Sequence, residues 1–271
     1  MSAKNDSIWN ALRAEAEESA TTERLLVAYF QETVLGQKSF AAALSYTLAS
    51  KLRDDILPSI TLRDLFLEIL EEEDGLREIV RVDLQAVKDR DPAAAGYLTP
   101  FLFFKGFHAL SAYRFAHYLW FEDRKTLALY LQSLISKVFG VDIHPAATIG
   151  RGILIDHGNG VVIGETAVLG DNVSIMQGVT LGGTGKEQGD RHPKVADGVL
   201  IASGAKVLGN IRIGEGAKVG AGSVVLKDVT AHCTVVGVPA KSVGVCRESA
   251  PALAMNQQIE NNGFGGFDPV I

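Results

Sequence analysis

The second half of the chain repeats an aliphatic residue at every sixth position. The repeat runs through Ile143, Ile149 and Ile155, then Ile163, Leu169, Ile175 and Leu181, then Ile201, Val207, Ile213, Val219 and Val225. An α-helix has 3.6 residues per turn, so a period of six drifts around it and leaves no continuous apolar face. Short strands separated by turns satisfy the period, because their aliphatic side chains stack inside a coil. The repeat therefore predicts a hexapeptide β-helix.

Glycine divides the chain near residue 140. Of 28 glycines, four lie in residues 1–139, 21 lie between Gly140 and Gly244, and three lie in the tail. Glycine disfavours helices, and the first part carries apolar residues at helical spacing. We therefore expect an α-helical domain over 1–139, a β-helix domain over 140–245 and a flexible C-terminal tail over 246–271.

Aromatic residues crowd into the segment 101–121 of the helical part. Lys105, His108, Arg114 and His117 interrupt this segment, so a membrane span is not expected. A buried helix or helix pair is the simpler interpretation. Part of its surface is expected to pack against other helices or against another subunit.

Composition excludes several classes of protein. The 26 Lys and Arg residues against 32 Asp and Glu residues give a net charge of −6, which does not favour a nucleic-acid partner. Two cysteines, Cys233 and Cys246, cannot make a disulfide framework, so a reducing cytosol is expected. No histidine pair has the spacing of a zinc site, so we expect no metal.

Two breaks interrupt the repeat, and both carry a histidine. Ile155 and Ile163 are eight residues apart, which places two extra residues around Asp156 and His157. Leu181 and Ile201 are twenty apart, two more than three hexads, and a loop is expected over 182–198, where the pattern is lost. Loops positioned by a rigid scaffold often carry function.

The histidine at the first break is the best candidate for a general base. Histidine commonly takes a proton in catalysis, and a carboxylate partner orients its ring. Asp142 and the adjacent Asp156 are both candidate partners, and a plain turn residue is the alternative for His157. Arg191, beside His192, is either a solvated loop cation or a clamp for a carboxylate. Asp91 is open to a plain reading as the N-cap of a helix starting at Pro92.

Several motifs together resemble the serine O-acetyltransferase family of the hexapeptide-repeat acyltransferases. In the second half these are Asp-Ile-His-Pro at 142–145, Asp-His at 156–157, Gly-Gly-Thr-Gly-Lys at 182–186 and Gly-Asp-Arg-His-Pro-Lys at 189–194. In the helical part they are Asp-Arg-Asp-Pro at 89–92 and Lys-Gly-Phe-His-Ala-Leu at 105–110. The resemblance covers nearly the whole chain.

The resemblance implies a fold and an assembly. The fold would be an N-terminal α-helical domain followed by a left-handed parallel β-helix. The β-helices would form trimers, and the helical domains would join two trimers into a hexamer through the apolar surface of 101–121. The active site would lie between the β-helices of adjacent subunits.

The resemblance also implies a reaction, in which acetyl-CoA and L-serine give O-acetyl-L-serine and CoA, the first step of cysteine biosynthesis. His157 would be the base, oriented by Asp142, and the acetyl group would pass directly to serine in a ternary complex. The substrate contacts would be Asp91, Asp156, Arg191 and His192, with Arg191 on the serine carboxylate and the acids on its ammonium group. The expected CoA contacts are Gly183, Thr184 and Ser203, with Lys218 or Lys241 near the phosphates. Ser203 stands where the family pattern leads us to expect alanine.

The tail suggests a second role. In this family a C-terminal isoleucine enters the active site of O-acetylserine sulfhydrylase, and Ile271 matches that residue. Feedback inhibition by L-cysteine at the serine site is also implied. Two other functions remain open: an acetyltransferase for another acceptor such as homoserine or an amino sugar, and a non-catalytic partner protein that acts through its tail.

Overall fold

A computed structural model describes residues 6–185, 188–246 and 248–259 of the chain. Helices occupy the described residues before 140. They are α1 (Ser7–Thr22), α2 (Val27–Phe30), α3 (Phe40–Leu52), α4 (Ser59–Glu72), α5 (Asp74–Arg90), α6 (Leu98–Phe103), α7 (Lys105–Phe121) and α8 (Lys125–Phe139). Side-chain caps start two of them, because Asp6 accepts a hydrogen bond from the Trp9 amide and Ser39 from the Ala42 amide.

Short strands follow α8 directly after its C-cap Gly140, which adopts the left-handed conformation (φ 69°) that glycine tolerates best. The strands are β1 (Val141–Ile143), β2 (Thr148–Ile149), β3 (Leu154–Ile155), β4 (Val161–Ile163), β5 (Val168–Leu169), β6 (Ser174–Ile175), β7 (Thr180–Gly182), β8 (Lys194–Val195), β9 (Leu200–Ile201), β10 (Lys206–Leu208), β11 (Arg212–Ile213), β12 (Lys218–Val219), β13 (Val224–Val225), β14 (Cys233–Val236) and β15 (Lys241–Val245). A last short helix, α9, spans Pro251–Ala254.

As far as β13, every third strand pairs in register, so the chain winds around three flat faces. Face 1 contains β1, β4, β7, β10 and β13, face 2 contains β2, β5, β8 and β11, and face 3 contains β3, β6, β9, β12, β14 and β15. All these pairings are parallel except that of β14 with β15. This confirms the predicted helical domain followed by a parallel β-helix.

The predicted aliphatic positions form the interior of the coil. All twelve are at most 8% exposed, which confirms the interpretation of the six-residue period. Stacking them removes a continuous column of apolar surface from water, at about 25 cal/mol per Å².

The two breaks in the repeat have different lengths. The first has the expected length, and the second is longer than expected. Val141 pairs with Val161, Val162 with Thr180, and Thr180 with Lys206, so successive coils contain 20, 18 and 26 residues. The first break is the expected two-residue insertion. The second is an eight-residue insertion after β7, not two residues beyond three hexads.

The loop at the second break also ends earlier than expected. Val195 is buried and pairs on face 2 between β5 and β11, so the pattern is not lost as far as Gly198. The physical reason is that Val195 lies one hexad before Ile201 and occupies an ordinary interior position.

The aromatic segment 101–121 covers the first coil of its own chain. Most of α7 is buried, and its Arg114 donates hydrogen bonds to the carbonyl oxygens of Ile149 (3.2 Å) and Gly150 (2.7 Å). Arg114 also pairs with the buried Asp83 of α5 at 2.7 Å. This burial agrees with the expectation of a buried helix that packs against other helices, and Phe103 and Phe121 are exposed. The expected contact of this segment with another subunit stays a prediction. Within the described residues, no helix is long and apolar enough to cross a membrane.

Candidate active site

A cleft of about 850 Å³ lies where the helical part meets the corner between faces 3 and 1. Asp91, Asp156 and His157 line it, together with Lys105 at the start of α7. Three residues of the C-terminal segment, Ala254, Met255 and Gln257, complete its wall. The cleft therefore combines a histidine and two carboxylates on elements held by the coil and by α5.

His157 lies in the turn that the two-residue insertion creates between β3 and β4. Its backbone has φ 56°, a left-handed conformation that is uncommon outside glycine and that tends to occur at functional sites. Its side chain is 68% exposed, and its Nδ1 atom lies 3.7 Å from a carboxylate oxygen of Asp156. The turn thus presents the imidazole to the cleft.

Asp91 reaches the same cleft from the end of α5. It is the C-cap of that helix, and its side chain accepts a hydrogen bond from the Ala93 amide at 2.8 Å. It is not an N-cap, because the next helix begins only at Leu98. Burial raises the pKa of Asp156, the negative charge of Asp91 raises it further, and His157 opposes both effects.

A second cluster occupies the corner between faces 1 and 2. Arg191 lies 2.7 Å from Glu165, and the hydrogen bond from Arg191 holds the pKa of Glu165 below its ordinary value. His192 is buried, with its Nδ1 atom 2.8 Å from the hydroxyl of Thr166. Burial, and then the charge of Arg191, lowers the pKa of His192. This keeps the imidazole neutral and able to accept or donate a hydrogen bond.

Asp142 lies on β1 and does not line the cleft of His157. Its carboxylate accepts a hydrogen bond from the Gln132 side chain at 2.7 Å, and its charge acts on His144. The structure therefore brings Asp91 and Asp156 to His157 within one chain. It places Arg191 and His192 together at the opposite ends of the face 1 strands, and Asp142 in the middle of β1.

The expected CoA contacts are spread over the coil. Gly183 and Thr184 follow β7 at the corner of the second cluster, whereas Ser203 follows β9 at the corner of the cleft. Lys241 is exposed on β15. Lys218 is buried, with its Nζ atom 3.2 Å from Glu248 and 3.3 Å from the carbonyl oxygen of Gln258. Ile271 lies outside the described residues.

Sequence reasoning missed several residues that the structure adds to the site. Glu165 precedes its partner Arg191 by 26 residues, which is one coil of 18 plus the eight-residue insertion. That spacing becomes a signal only once the insertion length is known. Lys105 is hydrogen-bonded to Asn159 in the turn of His157. Among the residues that the structure describes, no group of three His, Cys, Asp or Glu side chains is arranged to hold a metal ion.

The fold and the site define the class of protein. Residues 192–227 match a model of the bacterial transferase hexapeptide repeat, described as six repeats. The coil built from these hexads, with a histidine and two carboxylates in a corner cleft, places the chain among the hexapeptide-repeat transferases.

Comparison with known proteins identifies the family. Residues 8–112 match the model of the serine acetyltransferase N-terminal domain. The serine acetyltransferase of Haemophilus influenzae is 52% identical over 250 residues, which cover 92% of this chain and 94% of that protein. The chain belongs to the serine acetyltransferase family, whose members are acetyl-CoA-dependent acyltransferases.

Solved structures agree with this assignment over most of the chain. A serine acetyltransferase in complex with cysteine has a TM-score of 0.91 and 51% identity, covering 93% of this chain and 98% of that one. The soybean enzyme complexed with serine has a TM-score of 0.86 and 54% identity, covering 87% and 97%. The Brucella abortus enzyme in complex with coenzyme A has a TM-score of 0.88 and 49% identity, covering 89% and 97%.

Proposed function

We propose that this protein transfers the acetyl group of acetyl-CoA to the hydroxyl of L-serine in a ternary complex. The serine oxygen attacks the thioester carbonyl, the carbon–sulfur bond breaks, and O-acetyl-L-serine and CoA are released. The observation that carries the proposal is the exposed imidazole of His157 in a cleft with Asp91 and Asp156, in a chain of this family. No covalent enzyme intermediate is needed.

His157 acts as the general base. Its Nδ1 atom faces Asp156, which leaves Nε2 to take the proton from the serine hydroxyl as the hydroxyl attacks. The proton then passes to the leaving thiolate of CoA.

The charges around the two corners suit a zwitterionic acceptor. Asp91 and Asp156 provide negative charge for the ammonium group of serine, and Arg191 provides a fork for its carboxylate. His192, held neutral by burial, adds a hydrogen bond on the same side as Arg191. The serine bound to the related soybean enzyme supports the choice of acceptor.

We infer that the complete site forms between two subunits of a trimer. The base and the two acids lie at one end of the face 1 strands and Arg191 at the other, so one chain does not surround a single serine molecule. Apposing the faces of neighbouring coils around a threefold axis brings the two corners together. A pairing of Asp142 with His157 would then cross the subunit boundary. Two such trimers join through their helical domains into a hexamer.

Acetyl-CoA lies along the coil near Gly183, Thr184 and Ser203, and Lys241 is the available cation for its phosphates. Coenzyme A bound to the Brucella abortus relative supports this co-substrate. Lys218 could bind a phosphate only after breaking its ion pair with Glu248.

L-Cysteine inhibits the enzyme by occupying the serine site, as the cysteine complex of a relative suggests. Ile271 binds O-acetylserine sulfhydrylase, so deleting it abolishes that complex and leaves acetyl transfer intact.

Thiol release from acetyl-CoA tests the reaction. The purified, metal-chelated protein is given L-serine, L-homoserine, glucosamine or no acceptor. Of these four conditions, we expect thiol release only with L-serine. We expect His157→Ala to lose this release. Release with another acceptor only would reassign the substrate, and the absence of release with any acceptor would favour a partner protein acting through its tail.

Mixed trimers test the shared site. His157→Ala and Arg191→Ala chains are each inactive alone, but a random one-to-one mixture restores about a quarter of the sites if each site takes one residue from each neighbour. The mixture is prepared by joint refolding and assayed for thiol release. A mixture that stays inactive would show that both residues act within the same chain.

A further inference from the structure

Arg90 is a buried cation in the wall of the cleft. It is the last residue of α5 and is 8% exposed, and burial lowers its pKa to about 10. Its Nη1 atom donates a hydrogen bond to the Ser174 hydroxyl at 3.2 Å, and Nη2 donates one to the Asn172 side-chain oxygen at 3.0 Å. Both partners are neutral side chains of the coil. The guanidinium therefore fastens the end of α5 to face 3.

The point of attachment is next to the strand that carries Asp156. Ser174 on β6 pairs with Leu154 on β3, and the Asp156 amide donates a hydrogen bond to the Ile175 carbonyl at 2.8 Å. Asp91 directly follows Arg90 and leaves the helix in an extended conformation. Arg90 thus links the backbone of one cleft carboxylate to the strand pair that holds the other.

The two carboxylates need such a link because they repel each other. Asp91 and Asp156 line the same cleft, and the negative charge of Asp91 contributes to raising the pKa of Asp156. If the end of α5 were free, repulsion would move Asp91 away from Asp156 whenever the ammonium group is absent. A fixed pair of carboxylates, in contrast, is already arranged for the cation before it binds.

We propose that Arg90 is a positioning residue for acceptor recognition, which holds Asp91 in the cleft with Asp156 so that both carboxylates face one ammonium group. The inference rests on the proposed serine acetyltransferase reaction. Arg90 does not touch the reacting atoms. Its removal weakens binding of the ammonium group and leaves the acetyl-CoA site unchanged.

Arg114 provides the matched control. It is also a buried arginine that ties a helix of the first domain to the coil, through Ile149, Gly150 and Asp83. It does not line the cleft. A role in stability alone predicts the same behaviour for both arginines.

The test compares an acceptor that has the ammonium group with an analogue that lacks it. KM is measured for L-serine and for acetyl-CoA, and the inhibition constant of 3-hydroxypropionate is measured in competition with L-serine. In Arg90→Met we expect KM for L-serine to rise about 10- to 100-fold, while the inhibition constant and KM for acetyl-CoA change less than about threefold. Arg90→Lys, which retains one hydrogen bond, gives an intermediate rise. Arg114→Lys lowers the melting temperature but does not change the ratio of KM for L-serine to the inhibition constant of 3-hydroxypropionate.

Equal weakening of L-serine and 3-hydroxypropionate in Arg90→Met would overturn the inference, as would an unchanged KM for L-serine. If Arg90→Met does not fold, Arg90→Lys and Asn172→Ala replace it, because each removes one of the two hydrogen bonds. The ratio of KM for L-serine to the inhibition constant of 3-hydroxypropionate is then measured in these two variants. Wild-type protein without serine-dependent thiol release would instead refute the proposed reaction itself, so the two failures are distinguishable.

Discussion

Replacing Gly106 by alanine tests whether the close approach of α7 to the coil sets the geometry of the cleft. A Cβ atom at this position would lie 1.9 Å from the carbonyl oxygen of Ile155. Carbon–oxygen contacts settle at about 3.3 Å, so the helix and the strand would have to separate by about 1.4 Å. The obstacle is backbone on both sides, and no side chain can rotate away to relieve it.

The separation would reach the turn that carries the proposed base directly, because Ile155 precedes Asp156 and His157. A displacement of about 1 Å at reacting groups costs on the order of 100-fold in rate. Overpacking of this kind also costs about 1–3 kcal/mol of unfolding free energy. We therefore expect Gly106→Ala to lower kcat/KM for L-serine by about two orders of magnitude and the melting temperature by about 3–10 °C.

The assay is thiol release from acetyl-CoA, together with thermal unfolding of the same preparations. Gly75→Ala is the matched control, because Gly75 is likewise the second residue of a helix and no atom of the described residues lies within 4 Å of its added Cβ atom. This control should gain about 0.4–1 kcal/mol of stability and keep its kinetics. Wild-type kcat/KM and melting temperature in Gly106→Ala would refute the reasoning.

Three further variants test the buried groups. Burial lowers the pKa of His108 to about 3 from 6.5, so between these values the unfolded chain binds a proton that the folded chain does not. The unfolding free energy should thus fall by up to about 1.4 kcal/mol per unit as pH decreases below 6.5, and His108→Gln should reduce that slope in denaturant titrations. Arg114→Met leaves the carboxylate of Asp83 buried without its partner and should cost about 3–5 kcal/mol in the same titrations. An alanine Cβ at Gly164 would lie 2.0 Å from the Nε2 atom of His192. Gly164→Ala should therefore raise KM for L-serine about tenfold or more in the thiol assay.

Each of these expectations has a contradicting result. An identical pH slope in His108→Gln would show that other groups dominate the acid response. A loss in Arg114→Met no larger than that in Arg151→Met, which breaks a pair between exposed side chains, would show that burial does not matter. Unchanged KM in Gly164→Ala would remove His192 from the acceptor site.

The six-residue period predicted the coil because it is a local property. Each aliphatic residue must face inward whatever the neighbouring coils contain. The spacing from Ile201 to Val225 therefore predicts on its own which positions form the interior. The first break could also be predicted from the sequence. Two extra residues between hexads must protrude from the coil as a longer turn, and this turn carries His157. The amino-acid sequence therefore sufficed for the architecture, the corner and the candidate base.

The second carboxylate of the cleft and the pairing of Arg191 depended on the tertiary structure. Asp91 comes from the end of α5, and nothing in its local sequence shows that Arg90 fastens this end beside β3. The length of the second insertion determines which side chains lie next to each other on successive coils. Glu165 contacts Arg191 because eight inserted residues lie outside the coil. The aromatic segment likewise has a local pattern that marks it as buried without showing what buries it. Proximity between distant segments depends on insertion lengths and on the docking of helices, and these are settled only when the whole chain packs.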